Sequence, residues 1–213
     1  MSSREEVLGR VRGALGAARG TAAAVPRLYR RRLGAEEAET RADVVALFTE
    51  RVADLRATVR HVSADELGTT IAAALWGREA KRIVVPADLP YGWLAELEGV
   101  RALADSAVTD AATLDAVDGV VTGCAVAIAQ TGTIVLDGGR AQGRRALSVV
   151  PDHHLCVVHA DQIVGTVPEA VARLDPYRPL TWISGPSVTT AVEQARVPGG
   201  NGPRSLEVLV VDE

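Results

Sequence analysis

Residues 119–136 read GVVTGCAVAIAQTGTIVL, an uncharged run held between Asp118 and Asp137. Glycines, threonines and a lone Gln130 interrupt it, so VVTG, AVAIA and TIVL read as buried β-rich pieces meeting around small polar groups. A membrane helix needs about 20 mostly apolar residues, and these breaks remove that reading. The pieces follow one another too closely for the roughly dozen residues of a parallel crossover, so antiparallel pairing is expected here.

Outward from this run, strands and helices alternate. Upstream, the apolar spacing predicts helices over 42–57 and 64–76, a strand over 82–85 ended by Pro86, a short helix at 94–97, a strand at 101–104 and a helix at 111–116. Downstream, strands are expected at 146–150, 155–159, 180–184 and 206–211, with helices near 168–174 and 187–195. Strands separated by helices favour a mainly parallel sheet covered on both faces. The expected fold is therefore an open α/β sheet, mainly parallel, with helices on both faces and a local antiparallel meander. Residues 1–40 differ in composition. Val7, Val11, Leu15 and Ala18 lie near helical spacing, residues 20–26 read as a linker, and Arg27, Arg30, Arg31 and Arg32 surround Tyr29 as a cluster that could bind a phosphate or an acidic partner, though a solvated linker face is the plainer reading. The expected division is a helical extension and linker over 1–40 and an α/β domain over 41–213.

A chain of 213 residues is long enough for one substantial core. The formal charge of −4 and 3% aromatic content supply neither a basic field nor stacking rings, which argues against nucleic acid and anionic membrane as partners. Cys124 and Cys156 lie far apart with neither metal-ligand nor disulfide-framework spacing, and the first residues lack an apolar signal core. A reduced, cytoplasmic protein is expected, with no metal or cofactor of its own.

Three clusters of small polar residues adjoin expected strand ends: Thr122-Gly123-Cys124, Gln130-Thr131-Gly132-Thr133 and Ser184-Gly185-Pro186-Ser187. Ligands in open α/β sheets sit outside the carboxyl ends of strands. A helix starting after Ser187 would offer free N–H groups to a phosphate or carboxylate, while simple N-capping by Ser184 or Ser187 explains the same residues without a ligand. Turn chemistry is the plainer account of the two earlier clusters. The loop at 198–204 adds Asn201, Gly202 and Arg204, which would orient an anion or merely connect two elements. In Asp152-His153-His154-Leu155-Cys156-Val157-Val158-His159, strand periodicity puts His153 and His159 on one face about 20 Å apart and turns His154 and Cys156 to the other, so a metal site from this segment alone is not expected. Both cysteines are expected to pack.

Taken in order, VTGCAVAIAQTGTIVL, RALSVVPDHHLCVVHADQIV, GPSVTTAVE and GPRSLEVLVV resemble the lactate utilization protein C family, whose domain is called the LUD domain, over about 42–211. The resemblance implies a fold similar to the ribose-phosphate isomerase and CoA-transferase superfamily. It also implies a role in oxidising L-lactate to pyruvate beside separate iron–sulfur proteins, and this chain lacks the cysteine groupings that would hold such a cluster itself. In that family glutamate is usual where Gln130 stands, arginine where Val188 stands and histidine where Asn201 stands. Gln130 cannot act as a general base and Val188 cannot grip an anion. The remaining set (Thr122, Gly123, Thr131, Gly132, Thr133, Gly185, Pro186, Ser187, Gly202 and Arg204) suits binding of a small organic anion better than proton transfer. Whether the chain is an enzyme stays open, as does a homo-oligomer. A stand-alone enzyme acting on a phosphorylated or CoA-linked small metabolite is the alternative function.

Overall fold

The computed structural model describes residues 3–15, 30–34, 36–106, 109–187 and 202–212. The chain divides into two compact units, Met1–Arg30 and Arg31–Glu213. In the first, helix α1 (Ser3–Leu15) carries an Arg10–Glu6 ion pair at 3.0 Å, one turn apart. The expected helix at 187–195, the linker at 20–26, Val188 and Asn201 lie outside the described residues.

The second unit is built on two sheets. Helix α2 (Arg41–Asp54) starts at Thr40, whose hydroxyl accepts from Asp43 N while the Asp43 carboxylate accepts from Thr40 N, a capping box that fixes the helix start. Those hydrogen bonds from Thr40 hold the Asp43 carboxyl below its usual range. There follow β1 (Thr58–Val62), α3 (Leu67–Gly77), β2 (Arg82–Val85), β3 (Arg101–Ala104), α4 (Ala111–Asp115) and β4 (Gly119–Thr122). Next come β5 (Val126–Ile128), β6 (Thr133–Leu136), β7 (His153–His159), β8 (Ile163–Val164), α5 (Val167–Arg173), β9 (Thr181–Ile183) and β10 (Ser205–Val211). A six-stranded sheet runs β1-β10-β7-β4-β2-β3, every pair parallel. A four-stranded sheet runs β8-β5-β6-β9, with β5–β6 and β6–β9 antiparallel and β5–β8 parallel.

The alternation of buried side chains sorts the layers. On β7 and β10, Cys156, Val158, Val208 and Val210 face a core shared with Val45, Phe48 and Val52 of α2 and with Ala127 and Ile134 of the small sheet. Leu155, Val157, Leu209 and Val211 face the opposite core, beneath Ile71 and Leu75 of α3. The small sheet buries its own far face, Val126, Ile128 and Val135, against Ala170 of α5. The order is thus α3, large sheet, then α2 beside the small sheet, then α5. A strand covered on both faces needs apolar residues at successive positions rather than alternate ones, which is why β7 and β10 read as nearly continuous runs.

The α/β class and the antiparallel element match the expectation, with one refinement. GVVT belongs to the parallel sheet, and Gly123, Cys124 and Ala125 carry the chain across to the small sheet before the antiparallel turn begins. Two other expectations are corrected. Residues 146–150 form no strand: Arg145–Ser148 is a 3-10 turn, with Leu147 plugged among Val84, Leu114 and Val120. The short helix expected at 94–97 is a 3-10 turn at Tyr91–Leu94. Strands β1 and β8 were not anticipated from the sequence. In β1 only Val62 is buried, the signature of an edge strand whose polar Arg60 and His61 break the apolar pattern.

Candidate functional site

The order of the large sheet locates a crevice. The connection leaving β2 runs outward to β3, whereas the chain then returns to β4 on the other side of β2, so carboxyl ends of β2 and β4 flank a topological switch point. The loop after β6 roofs it. Gly123 N, just beyond β4, donates to Ala141 O at 2.7 Å, and a methyl group on Gly143 would meet Pro86, just beyond β2, at 3.4 Å. Ala141 takes a positive φ of 59°, a left-handed conformation that costs a non-glycine residue about 1–2 kcal/mol.

Beside this roof lies a cleft of about 730 Å³ bounded by Asp88 after β2, Asp105 after β3, Arg140 and Arg144 of the roof, and Arg178. A second cavity of about 450 Å³ adjoins it, sharing Arg144 and Arg178 and adding Arg145 and Asp137. Arg144 Nε and Nη2 donate to the two Asp105 oxygens at 2.8 and 3.0 Å, and Nη2 also donates to Thr109 O. The Asp105 bond raises the Arg144 pKa further. Arg178 Nη1 donates to Asp137 Oδ2 at 3.0 Å, and Gly139 N to Asp137 Oδ1 at 2.9 Å. These carboxylates hold two guanidiniums in fixed orientations with donors to spare.

The residues proposed from sequence fall into two neighbourhoods. In the first, Thr131 Oγ1 donates to Thr133 Oγ1 at 2.8 Å, and Thr133 Oγ1 meets Ser184 Oγ at 2.8 Å. Gly132 (φ 61°) and Gly185 (φ 82°) press against the carboxyl end of α2, at Arg51 and Leu55 respectively. Pro186 and Ser187 are half-buried, and Ser187 N donates to Pro203 O at 2.7 Å, which brings Gly202 and Arg204 alongside. The Arg204 guanidinium lies 3.7 Å from Asp152 Oδ1, both side chains exposed. Gln130 is exposed, its backbone N–H donating to Gly165 O. A chain of contacts therefore links 131–133 through 184–187 to 202–204.

Thr122 and Gly123 belong to the second, interior neighbourhood. Thr122 is fully buried, with Oγ1 2.7 Å from His154 Nε2 and 4.0 Å from Cys156 Sγ. Cys124 O accepts from Gln162 Nε2 at 2.8 Å. Both cysteines are free and buried. The neighbouring Cys124 thiol, with His154 and Thr122, draws the Cys156 pKa down against its burial, while Cys124 itself is pushed well up. Both thiols are shielded from solvent, and the Thr122–His154 contact ties the carboxyl end of β4 to β7. As the strand periodicity predicts, His154 shares its face with Cys156, and His153 lies opposite. Among the described residues no three His, Cys, Asp or Glu side chains gather as a metal site, and no described helix is long and apolar enough to cross a membrane.

A hydroxyl–imidazole–carboxylate chain lies at the carboxyl ends of β1 and β10, on the flank of the large sheet away from β2 and β3. Thr49 Oγ1 is 2.9 Å from His61 Nε2, and His61 Nδ1 is 3.2 Å from both Asp212 oxygens. Thr49 Oγ1 donates to Val45 O at 3.0 Å, so its proton is engaged by the helix backbone and it is not activated as a nucleophile. The chain ties α2 to β1.

Sequence reasoning did not single out Asp88, Asp105, Arg140, Arg144 or Arg178. The available signal was DGGRAQGRR at 137–145, three glycines and three arginines directly after a strand.

Comparison with known proteins agrees with this architecture. The family model described as LUD domain matches residues 36–211. Lactate utilization protein C of Deinococcus radiodurans is 49% identical over 176 residues, 81% of each chain. The crystal structure of a DUF162 family protein from Deinococcus radiodurans superimposes with a TM-score of 0.68 at 46% identity, covering 81% of this chain and 99% of that one. The chain belongs to the LUD domain family.

Proposed function

We propose that this protein works in lactate utilization, as a component of the oxidation of L-lactate to pyruvate that holds no cluster of its own and acts with separate iron–sulfur proteins in the cytoplasm. The observation that carries this reading is the 49% identity, over 81% of both chains, to a relative named lactate utilization protein C. Two cysteines are too few for the four thiolates of an ordinary iron–sulfur cluster, so electrons from lactate pass to partners that hold one. The small organic anion sits where 131–133, 185–187 and 202–204 are linked, on backbone amides, hydroxyls and the Arg204 guanidinium. In the sequence, Gln130 and Asn201 directly precede two of those segments.

Tagged protein taken from cells grown on L-lactate is expected to bring down iron–sulfur proteins with the visible absorbance of their clusters. Deletion is expected to impair growth on L-lactate while sparing growth on pyruvate. A deletion strain that grows normally on L-lactate refutes the role. Turnover of a phosphorylated or CoA-linked metabolite by the isolated chain would favour the stand-alone alternative.

A further inference from the structure

We infer that α2 is the seat of a two-fold contact between two copies of this chain, their α2 helices packed antiparallel in the groove that this helix lines. The groove, of about 750 Å³, is walled along one side by Arg41, Ala42, Val45, Ala46, Thr49 and Glu50 of α2. At 3.6 residues per turn, Ala42, Val45, Ala46 and Thr49 form one stripe along the helix. Arg41 flanks its amino end on one side, and Glu50 flanks its carboxyl end on the other. A helix on a protein surface ordinarily turns charged residues to water and its apolar stripe to the core. Here Phe48 and Val52 take the core, while Ala42 and Ala46 stand exposed on a second apolar stripe.

The order of residues along the stripe says what covers it. A two-fold axis perpendicular to α2, midway between Val45 and Ala46, sets Val45 against Ala46 of the second copy, Ala42 against Thr49 and Arg41 against Glu50. The surface is thus complementary to itself in charge as well as in shape. Two alanines per helix let the axes approach to about 8 Å, and the charges stand where flanking ion pairs stand in coiled coils. Each contact holds the Arg41–Glu50 pair twice. Both partners are available for it among the described residues. The Arg41 guanidinium is oriented by two carbonyls, Ile163 O and Ala160 O, and meets no carboxylate, while exposed Glu50 has only its neighbour Arg51, at 3.9 Å. Opposite charges about 13 Å apart along the helix give a small ligand little to hold, whereas an antiparallel α2 answers both. A parallel pair would set like ends together.

The test is sedimentation velocity of the full chain over a concentration series. A contact centred on one helical stripe is small beside the usual interface of about 1,600 Å², so a dimer that dissociates on dilution is expected. Glu50→Arg is expected to raise its dissociation constant at least about ten-fold, because each arginine then meets an arginine, with an unchanged circular dichroism spectrum. Adding Arg41→Glu to Glu50→Arg exchanges the two ends and is expected to restore the dimer. Cysteines placed on the stripe read the axis without touching the charges, since both native cysteines are buried. Ala46→Cys, beside the axis, is expected to join two copies through a disulfide on mild oxidation. Ala42→Cys, displaced from its counterpart by about 10 Å along the helix, is expected to stay unlinked. Folded protein that remains monomeric at millimolar concentration overturns the inference. So does a dimer that Glu50→Arg leaves as tight as the parent's, or one that is linked through Ala42→Cys and not through Ala46→Cys.

Discussion

Replacing Gly132 by alanine probes how the antiparallel turn is seated on α2. The added methyl carbon would stand 2.8 Å from the Arg51 carbonyl carbon, 2.9 Å from its oxygen and 3.0 Å from Val52 N. All three are backbone atoms in the last turn of α2, which cannot swing aside as a long side chain does. The residue's φ of 61° adds a left-handed penalty of about 1–2 kcal/mol, and overpacking against a rigid neighbour adds about 1–3 kcal/mol. A total near 3 kcal/mol lowers the melting temperature of a chain this long by about 6–12 °C. Thermal unfolding followed by circular dichroism, at matched concentration and pH, measures it. A melting temperature within about 2 °C of the parent would falsify the view that Gly132 is fixed by close approach to α2.

Further outcomes follow from individual contacts. Thr122→Val is nearly isosteric, yet it removes the hydroxyl that partners His154 Nε2 in a ring whose Nδ1 has no partner among the described residues; the cost is expected to be about 1–3 kcal/mol by urea unfolding. Thr122→Ser, which keeps the hydroxyl, is expected to cost less, about 1 kcal/mol, and the reverse order would refute the role given to the hydroxyl. Burial, with Arg78 and His154 nearby, lowers the His153 pKa from 6.5 to about 4. The unfolded chain therefore binds a proton between those values that the fold does not, so the stability from this group is whole above pH 6.5 and falls by about 3 kcal/mol on acidification to pH 4. His153→Gln should flatten that part of the stability–pH curve, and an unchanged slope would count against it. Cys124 and Cys156 should resist an aromatic disulfide reagent in the native protein and both react in guanidinium; rapid native labelling would contradict their burial.

The fold was legible where one strand's environment is uniform. Arg82–Val85 and Arg101–Ala104 stand where their apolar residues and following breaks placed them. Strand β7 begins two residues earlier than expected, because His153 and His154 are buried and paired with β10 rather than solvated. Residues 146–150 misled because their apolar side chains serve a turn whose Leu147 fills the core among Val84, Leu114 and Val120 rather than a strand. Strand β1 hid behind Arg60 and His61, whose side chains are satisfied across the sheet by Glu207 and Asp212. For the site, local spacing exposed the glycines at 132 and 185 but not their common neighbour, α2. The arginine cleft was invisible for a related reason: Asp88, Asp105, Arg140 and Arg178 meet only after three strands and a roof loop have been aligned by the sheet. Sequence shows the ends of elements, and the sheet order decides which ends meet.

The most direct test of the functional account is growth of a deletion strain on L-lactate as sole carbon source, with the intact gene returned on a plasmid. The account predicts arrest or strong slowing on L-lactate, normal growth on pyruvate, and restoration by the plasmid. Normal growth on L-lactate without the protein would contradict it.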